Sequence, residues 1–334
     1  MKRHYGTPFG GASLMISWFR NQYLDFIKAS KGVLSLREVS RSLGIPYHSI
    51  RTIYSDLSSI LEMRFLVDYP SLRLLPIAVL SEDPCPEWVA RTLLARVEGN
   101  IELKLCLGLA PLKKAIEAGA NLEIVKGVEV RYWDYNFYPA STPREPVEKD
   151  YETPRISQVY TRRPDAVDIA LYSFKIDHPF LKATRAYERA RSVDGSLREI
   201  SGYAVEYHFR RHLKPLWVGN GFYLVLPSSE VPVQVYIVEG WRSPALARIA
   251  SSLTGHWFSL IDEKRSLIVG QFRAQEKVGF YRAVRALGCK NVYGELVVPP
   301  GESSHWRPLL WKSLRDKDWA PPFMSVESSR PVFP

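Results

Sequence analysis

Cysteine is scarce in this 334-residue chain: Cys85, Cys106 and Cys289 are the whole supply. They form no C-x-x-C pair and sit in apolar or turn settings, so the sequence suggests neither a zinc site nor a disulfide framework. Buried thiols in a reducing cytoplasm are the expectation. Long apolar runs are also missing. No stretch approaches the roughly 20 apolar residues of a membrane span, and the first residues, MKRHYGTPFGG, lack the apolar core of a signal peptide, so a cytoplasmic protein with no membrane partner is expected. Familiar catalytic patterns are lacking too. The seven histidines include no H-E-x-x-H, and there is no G-x-S-x-G or phosphate-loop motif, which argues against those hydrolase and nucleotide-binding classes.

Positive charge is abundant, and its placement is uneven. The net charge is +10, and residues 1–51 carry eight Lys/Arg against Asp25 and Glu38. In that basic end lies LSLREVSRSLGIPYHSIRTIYSDL, Leu34 to Leu57, which reads as a helix-turn-helix. Leu36, Val39 and Leu43 give one apolar stripe over a first helix, 35–43. Gly44 stops it, and Pro46 suits the first turn of the next helix, 46–57. Ile50, Ile53 and Leu57 face a core there, leaving Tyr47, His48, Ser49, Arg51 and Thr52 outward. With Arg37 these are the side chains expected to touch DNA bases and phosphates. Phe19, Tyr23 and Phe26 predict a supporting helix over 14–29. Met63 to Val67 reads as an extended wing.

Beyond residue 69 the character changes. A strand at 77–80, a helix at 86–94, an alternating strand at 101–107, a helix at 111–118 and a strand at 122–132 are expected. Pro, Tyr and charge dominate 135–163, which reads as a linker. The order then restarts. Helices are expected at 166–176, 181–191 and 201–213, the third strongly basic, followed by a second wing hairpin at 222–226. Residues 162–214 hold eleven Lys/Arg against seven acids. Tyr207, His208, Arg210, Arg211 and Lys214 complete the expected DNA-binding set. His208 and His212 could share a metal, but the sequence supplies no third ligand nearby, so a basic reading face is favoured and no metal is expected. Next come a strand with Val231, Val233, Val235 and Ile237 on one face, a helix at 243–253, a hairpin of 256–261 and 266–272, a helix at 276–287 and a strand at 291–298.

This order of elements, twice over, together with Leu34-Ser35-x-Arg37-Glu38-Val39-Ser40-x-x-Leu43-Gly44-Ile45 and Tyr69-Pro70 leading to Leu74, resembles the Lrp/AsnC family of regulators. The resemblance covers roughly 14–134 and 165–298. It implies an α+β fold with two winged helix-turn-helix domains, 1–68 and 164–227, each followed by a ferredoxin-like βαββαβ domain, 69–134 and 228–300. The first of these looks reduced by a strand; the linker fills 135–163 and an aromatic, Pro-rich tail 301–334. The tail reads as a strap over its own domain in preference to a docking segment. What the family implies in function is a cytoplasmic, non-enzymatic transcription regulator, a single-chain pseudo-dimer on double-stranded DNA. It would have no catalytic residues or cofactor, a small-molecule effector with no assignable ligand residues, and pairing into a homo-oligomer through the ferredoxin-like domains. Two alternatives stand beside it. One is a sequence-independent architectural or general transcription factor. The other is an enzyme resembling siroheme decarboxylases, which share the fold and use Arg, His and Tyr around a tetrapyrrole. Residues 65–80 offer Tyr69, and 222–237 offer Tyr223 and Tyr236, but neither stretch contains a histidine, so the regulator is favoured.

Overall fold

The structure, a computed structural model, describes residues 21–118, 123–156, 164–315 and 318–327. Its first helices are α1 (Asn21–Ser30), α2 (Leu36–Leu43) and α3 (Tyr47–Leu57). The expected start of α1, 14–20, lies outside the described residues. Local chemistry accounts for the α2–α3 corner. The Ser35 hydroxyl accepts from the Glu38 amide while the Glu38 carboxylate accepts from the Leu34 amide, a reciprocal cap at the start of α2. Gly44 then takes φ 65°, a conformation that a side chain would strain, and the Ile45 amide turns back to the Ser40 carbonyl. Phe26, Ile27, Val39, Ile50, Ile53 and Leu57 are buried together.

Strand β1 (Leu61–Val67) follows, then β2 (Leu74–Ser81), β3 (Ala90–Glu98), β4 (Glu102–Pro111), the short helix α4 (Leu112–Glu117), β5 (Glu123–Lys126) and β6 (Glu129–Tyr132). The second half brings α5 (Ala166–Lys175), α6 (Ala183–Val193), α7 (Gly202–His208), β7 (Trp217–Leu224), β8 (Val233–Glu239), α8 (Ser243–Ala250), β9 (His256–Ile261), β10 (Arg265–Gly270) and α9 (Ala274–Ala286). Short strands β11 (Lys290–Asn291), β12 (Leu296–Val298), β13 (Ser303–Pro308), β14 (Leu314–Arg315), β15 (Asp318–Trp319) and β16 (Ser325–Glu327) end it.

Three expectations about strands and helices need correction. Residues 86–94 do not form a helix. Leu93, Ala95 and Val97 alternate inward along β3, which folds back on β4 across Gly99 and Asn100, and this pairing outweighs the local apolar spacing. The first α/β half therefore lacks a helix rather than a strand. The expected strand at 122–132 is two strands, β5 and β6, separated by Gly127 and Val128. Finally, the extended segments expected to be two independent wings, 63–67 and 222–226, belong to β1 and β7, which pair with each other antiparallel.

The main sheet is antiparallel and continuous through both halves, in the order β5-β2-β4-β3-β12-β8-β10-β9-β6. Because β5 and β6 are consecutive in the chain yet sit at opposite ends of this path, the sheet curls until β5 lies against β9 and β10. Side chains alternate accordingly. Val233, Val235 and Ile237 of β8 join Ala78, Leu80, Leu105 and Val269 inside the curl, whereas Tyr236 and Val238 pack outward on α8 and α9. Residues 135–156 are not a free linker. Arg248 of α8, buried, donates to the Asp150 and Glu152 carbonyls at 2.6 Å and pairs with Glu129, while Arg144 pairs with Asp150, so this segment is clamped to the sheet.

The tail is a strap. Strand β13 pairs with β3, and the indoles of Trp311 and Trp319 are buried, donating to Asp194 and to the Leu72 carbonyl. Cys85 and Cys106 form a disulfide, contrary to the expectation of free thiols, because the loop before β3 folds over β4 and brings the two Cα atoms to 5.7 Å. Cys289 is free, and burial pushes its thiol up to about 11. No described helix is long and apolar enough to cross a membrane.

Candidate functional site

The β1–β7 ribbon lies over the mouth of the curled sheet, and its pleat decides what faces inward. Leu61, Met63, Phe65 and Val67 are buried toward the helices, so Glu62 and Arg64 project from the other face. Across the ladder Glu62 stands opposite Tyr223 and Arg64 opposite Gly221. Gly221 matters here for its bareness: a Cβ would lie 2.7 Å from the ring of Tyr132. Tyr132, the last residue of β6, uses that space to stack on Tyr223 with ring centroids 6.3 Å apart.

Beneath the ribbon is a cavity of about 190 Å³. Its polar wall includes Glu62, Arg64, Asp177, Tyr69, Tyr132, Tyr172, Tyr223, His305 and Arg307; its apolar wall includes Ile77, Leu93, Leu107, Val130, Phe258 and Leu260. Five distant parts of the chain supply the polar groups. The Arg64 guanidinium donates to the Tyr223 hydroxyl at 2.9 Å and is ion-paired to Asp177, in the turn after α5. Asp177 also accepts from Arg307 of β13 at 3.2 Å, so one carboxylate bridges two arginines. The hydroxyls of Tyr172, on α5, and Tyr69, in the turn between β1 and β2, are 3.2 Å apart.

The electrostatics separate into permanent charge and protonated neutral groups. Burial pulls the Arg64 guanidinium down, but Tyr223 and Glu62 beside it outweigh that, and the net shift is upward. Burial drives the phenols of Tyr69, Tyr132, Tyr172 and Tyr223 above the ordinary tyrosine value, so all four keep their protons. His305 moves the other way: burial, reinforced by the charge of Arg64, lowers it to about 4, leaving a neutral imidazole. Asp177 and Glu62 balance the two guanidiniums, so an entering anion is held by displacing a carboxylate from Arg64 or Arg307, with the phenol hydroxyls as further donors.

None of the residues expected to bind DNA lines this cavity. Arg37, Tyr47, His48, Arg51 and Thr52 are exposed on α2 and α3 and Ser49 is half-buried there, with the Arg37 guanidinium 5.8 Å over the Tyr47 ring. On the second unit Tyr207, Arg210, Arg211 and Lys214 are exposed. His208 is not: it turns inward to Asp168 at 3.0 Å, and His212 does the same. Tyr69 and Tyr223 were visible in sequence. Arg64, Tyr132, Tyr172, Asp177, His305 and Arg307 were not, since no local pattern joins a strand residue to partners more than 100 positions away. The histidine on the cavity wall, His305, comes from the tail.

Neither a family model nor a curated protein sequence matches the chain. Two solved structures are similar to it. They are the siroheme decarboxylase NirDL, at a TM-score of 0.43 and 10% identity, and the siroheme decarboxylase NirDL in co-complex with an iron-uroporphyrin III analogue, at 0.42 and 11%; each match covers 84% of this chain and 91% of that one. The expectation of a non-enzymatic DNA-binding regulator is corrected by these findings. The structures it is similar to carry an enzyme's name, and Arg64, Arg307, Asp177 and four tyrosines line one cavity that none of the residues expected to touch DNA enters.

Proposed function

We propose that this cavity binds the carboxylate-bearing edge of a tetrapyrrole and that the chain is a decarboxylase acting on an acetate side chain of that substrate. The observation that carries the reading is the meeting of Arg64 and Arg307 with four protonated tyrosines and a neutral histidine in one largely apolar cavity. The substrate class proposed is that of the siroheme decarboxylases to which the chain is similar in fold. The macrocycle is larger than this cavity, so only its acetate arm enters while the ring stays outside it.

The chemistry this requires is simple to balance. A guanidinium holds the acetate carboxylate. The bond between the carboxylate carbon and the methylene carbon breaks, CO2 leaves, and the bonding pair passes into the conjugated ring. A tyrosine hydroxyl then gives its proton to the methylene carbon, producing a methyl group, and recovers a proton from solvent. Apolar walls favour neutral CO2 over the carboxylate it came from, which lowers the barrier. On this reading the two halves are fused AsnC-like units, each a winged helix-turn-helix followed by a ferredoxin-like fold, and α5 of the second unit has become a wall of the cavity.

The test is an absorption titration of the purified chain with siroheme and with iron-uroporphyrin III, followed by mass analysis of the pigment for loss of CO2. A shift of the pigment's main band with product formation, both lost in Arg64→Met, is expected. Absence of any band shift at saturating pigment would sink the proposal.

A further inference from the structure

Away from the cavity, the start of α5 and the end of α7 bring together a cluster that the decarboxylase reading does not use. Asp165 caps α5: its carboxylate accepts from the Val167 and Asp168 amides, and Asp168 returns the bond to the Asp165 amide at 3.0 Å. The remaining carboxylate oxygens, Asp165 Oδ2 and Asp168 Oδ1, face α7. There the helix widens into a π-turn over Phe209–Leu213. A four-residue step in a regular α-helix overshoots a full turn by about 40°. The wider turn takes that back, so His208 and His212 stand one over the other with ring centroids 4.9 Å apart. Such π-turns concentrate at functional sites.

We propose that Asp165, Asp168, His208 and His212 form a binding site for one divalent transition metal, zinc in the first place. The donor set is two imidazole nitrogens and two carboxylate oxygens, all within 4.8 Å of one another. His208 Nδ1 lies 3.0 Å from Asp168 Oδ1 and 3.5 Å from Asp165 Oδ2, and His212 Nδ1 lies 3.0 Å from Asp168 Oδ1. Zinc held at about 2.0–2.2 Å by four such donors in a tetrahedron needs them about 3.3–3.6 Å apart, so small side-chain movements complete the coordination. Both carboxylates have these histidines as their side-chain partners here, so the four donors already face one point. Asp165 is half-exposed and gives an ion a way in, while the Tyr207 ring, 5.5 Å from His212, forms one wall. A sequence reading could find only the histidine pair; folding supplied the other two ligands from 40 residues away.

The site would act on the rest of the molecule by position. Asp168 is one turn before Tyr172 on α5, and Asp177 follows that helix, so pinning the start of α5 to α7 holds two cavity residues in place.

The experiment uses the full chain, stripped by a chelator and dialysed, then loaded with Zn2+ or Co2+. One zinc per chain by elemental analysis is expected, and with Co2+ the visible absorption of a tetrahedral site. His212→Ala and Asp165→Asn should each weaken metal binding by about tenfold or more. Asp165→Asn is the folding control, since asparagine caps a helix as well as aspartate does. Failure to take up stoichiometric Zn2+ or Co2+ at micromolar free metal would show a hydrogen-bonded cluster only, and overturn the proposal. Undiminished binding by folded Asp165→Asn and His212→Ala would overturn it too. Pigment binding plays no part in either readout.

Discussion

Replacing Asp177 by asparagine should damage this molecule more than removing either arginine it bridges. Its carboxylate sits between Arg64 and Arg307, with side-chain exposures of 24% for Asp177, 12% for Arg64 and 20% for Arg307. Asp177→Asn keeps the shape and deletes a negative charge that two partly buried guanidiniums share. Breaking a fully buried pair by removing one partner costs about 3–5 kcal/mol. Here a quarter of the carboxylate reaches water and Glu62 remains 3.9 Å from Arg64, so we expect about 2–3 kcal/mol. Arg64→Met leaves Asp177 paired with Arg307 and strips one hydrogen bond from Tyr223, for about 1–2 kcal/mol. Urea unfolding of the parent and both variants, compared at equal slope, measures the difference. An Arg64→Met loss equal to or larger than that of Asp177→Asn would refute the bridging argument.

Acid should destabilise the chain through its buried histidines. Burial lowers His256 to about 3 and His305 to about 4, below the ordinary 6.5, so the unfolded chain takes up protons that the folded one refuses. That contribution is intact above pH 6.5 and falls as pH drops toward 4, by about 1.4 kcal/mol per pH unit for each histidine. His256→Gln should shed one such share in urea titrations at pH 4.5 and 7, and an unchanged pH slope would count against it. Gly221→Ala should cost about 1–3 kcal/mol by forcing Tyr132 off Tyr223, and a melting curve matching the parent would contradict the close approach. Alkylation without reductant should label Cys289 alone, and reduction should cost about 2–4 kcal/mol by opening the loop that Cys85 and Cys106 close. Labelling of all three cysteines in the unreduced, denatured chain would disprove the pairing.

What the sequence determined by itself was local. Capping groups, a glycine at a corner and apolar spacing sufficed for α2 and α3, whose stabilising contacts lie within a few residues. The alternation of Val233, Val235 and Ile237 likewise marked which face of β8 turns inward. Tertiary structure decided the rest. Residues 86–94 became the approach to a strand because β4 was available to pair with β3, an outcome no window of neighbouring residues contains. Pairing β1 with β7 turned two expected wings into one ribbon and aimed Arg64 at Tyr223, 159 positions along the chain. The tail brought His305 and Arg307, and Asp168 reached His208 and His212 only through helix packing. Periodicity records which face of an element is buried. Which buried charges meet depends on how elements far apart in the chain are packed, and that is where this protein keeps its chemistry.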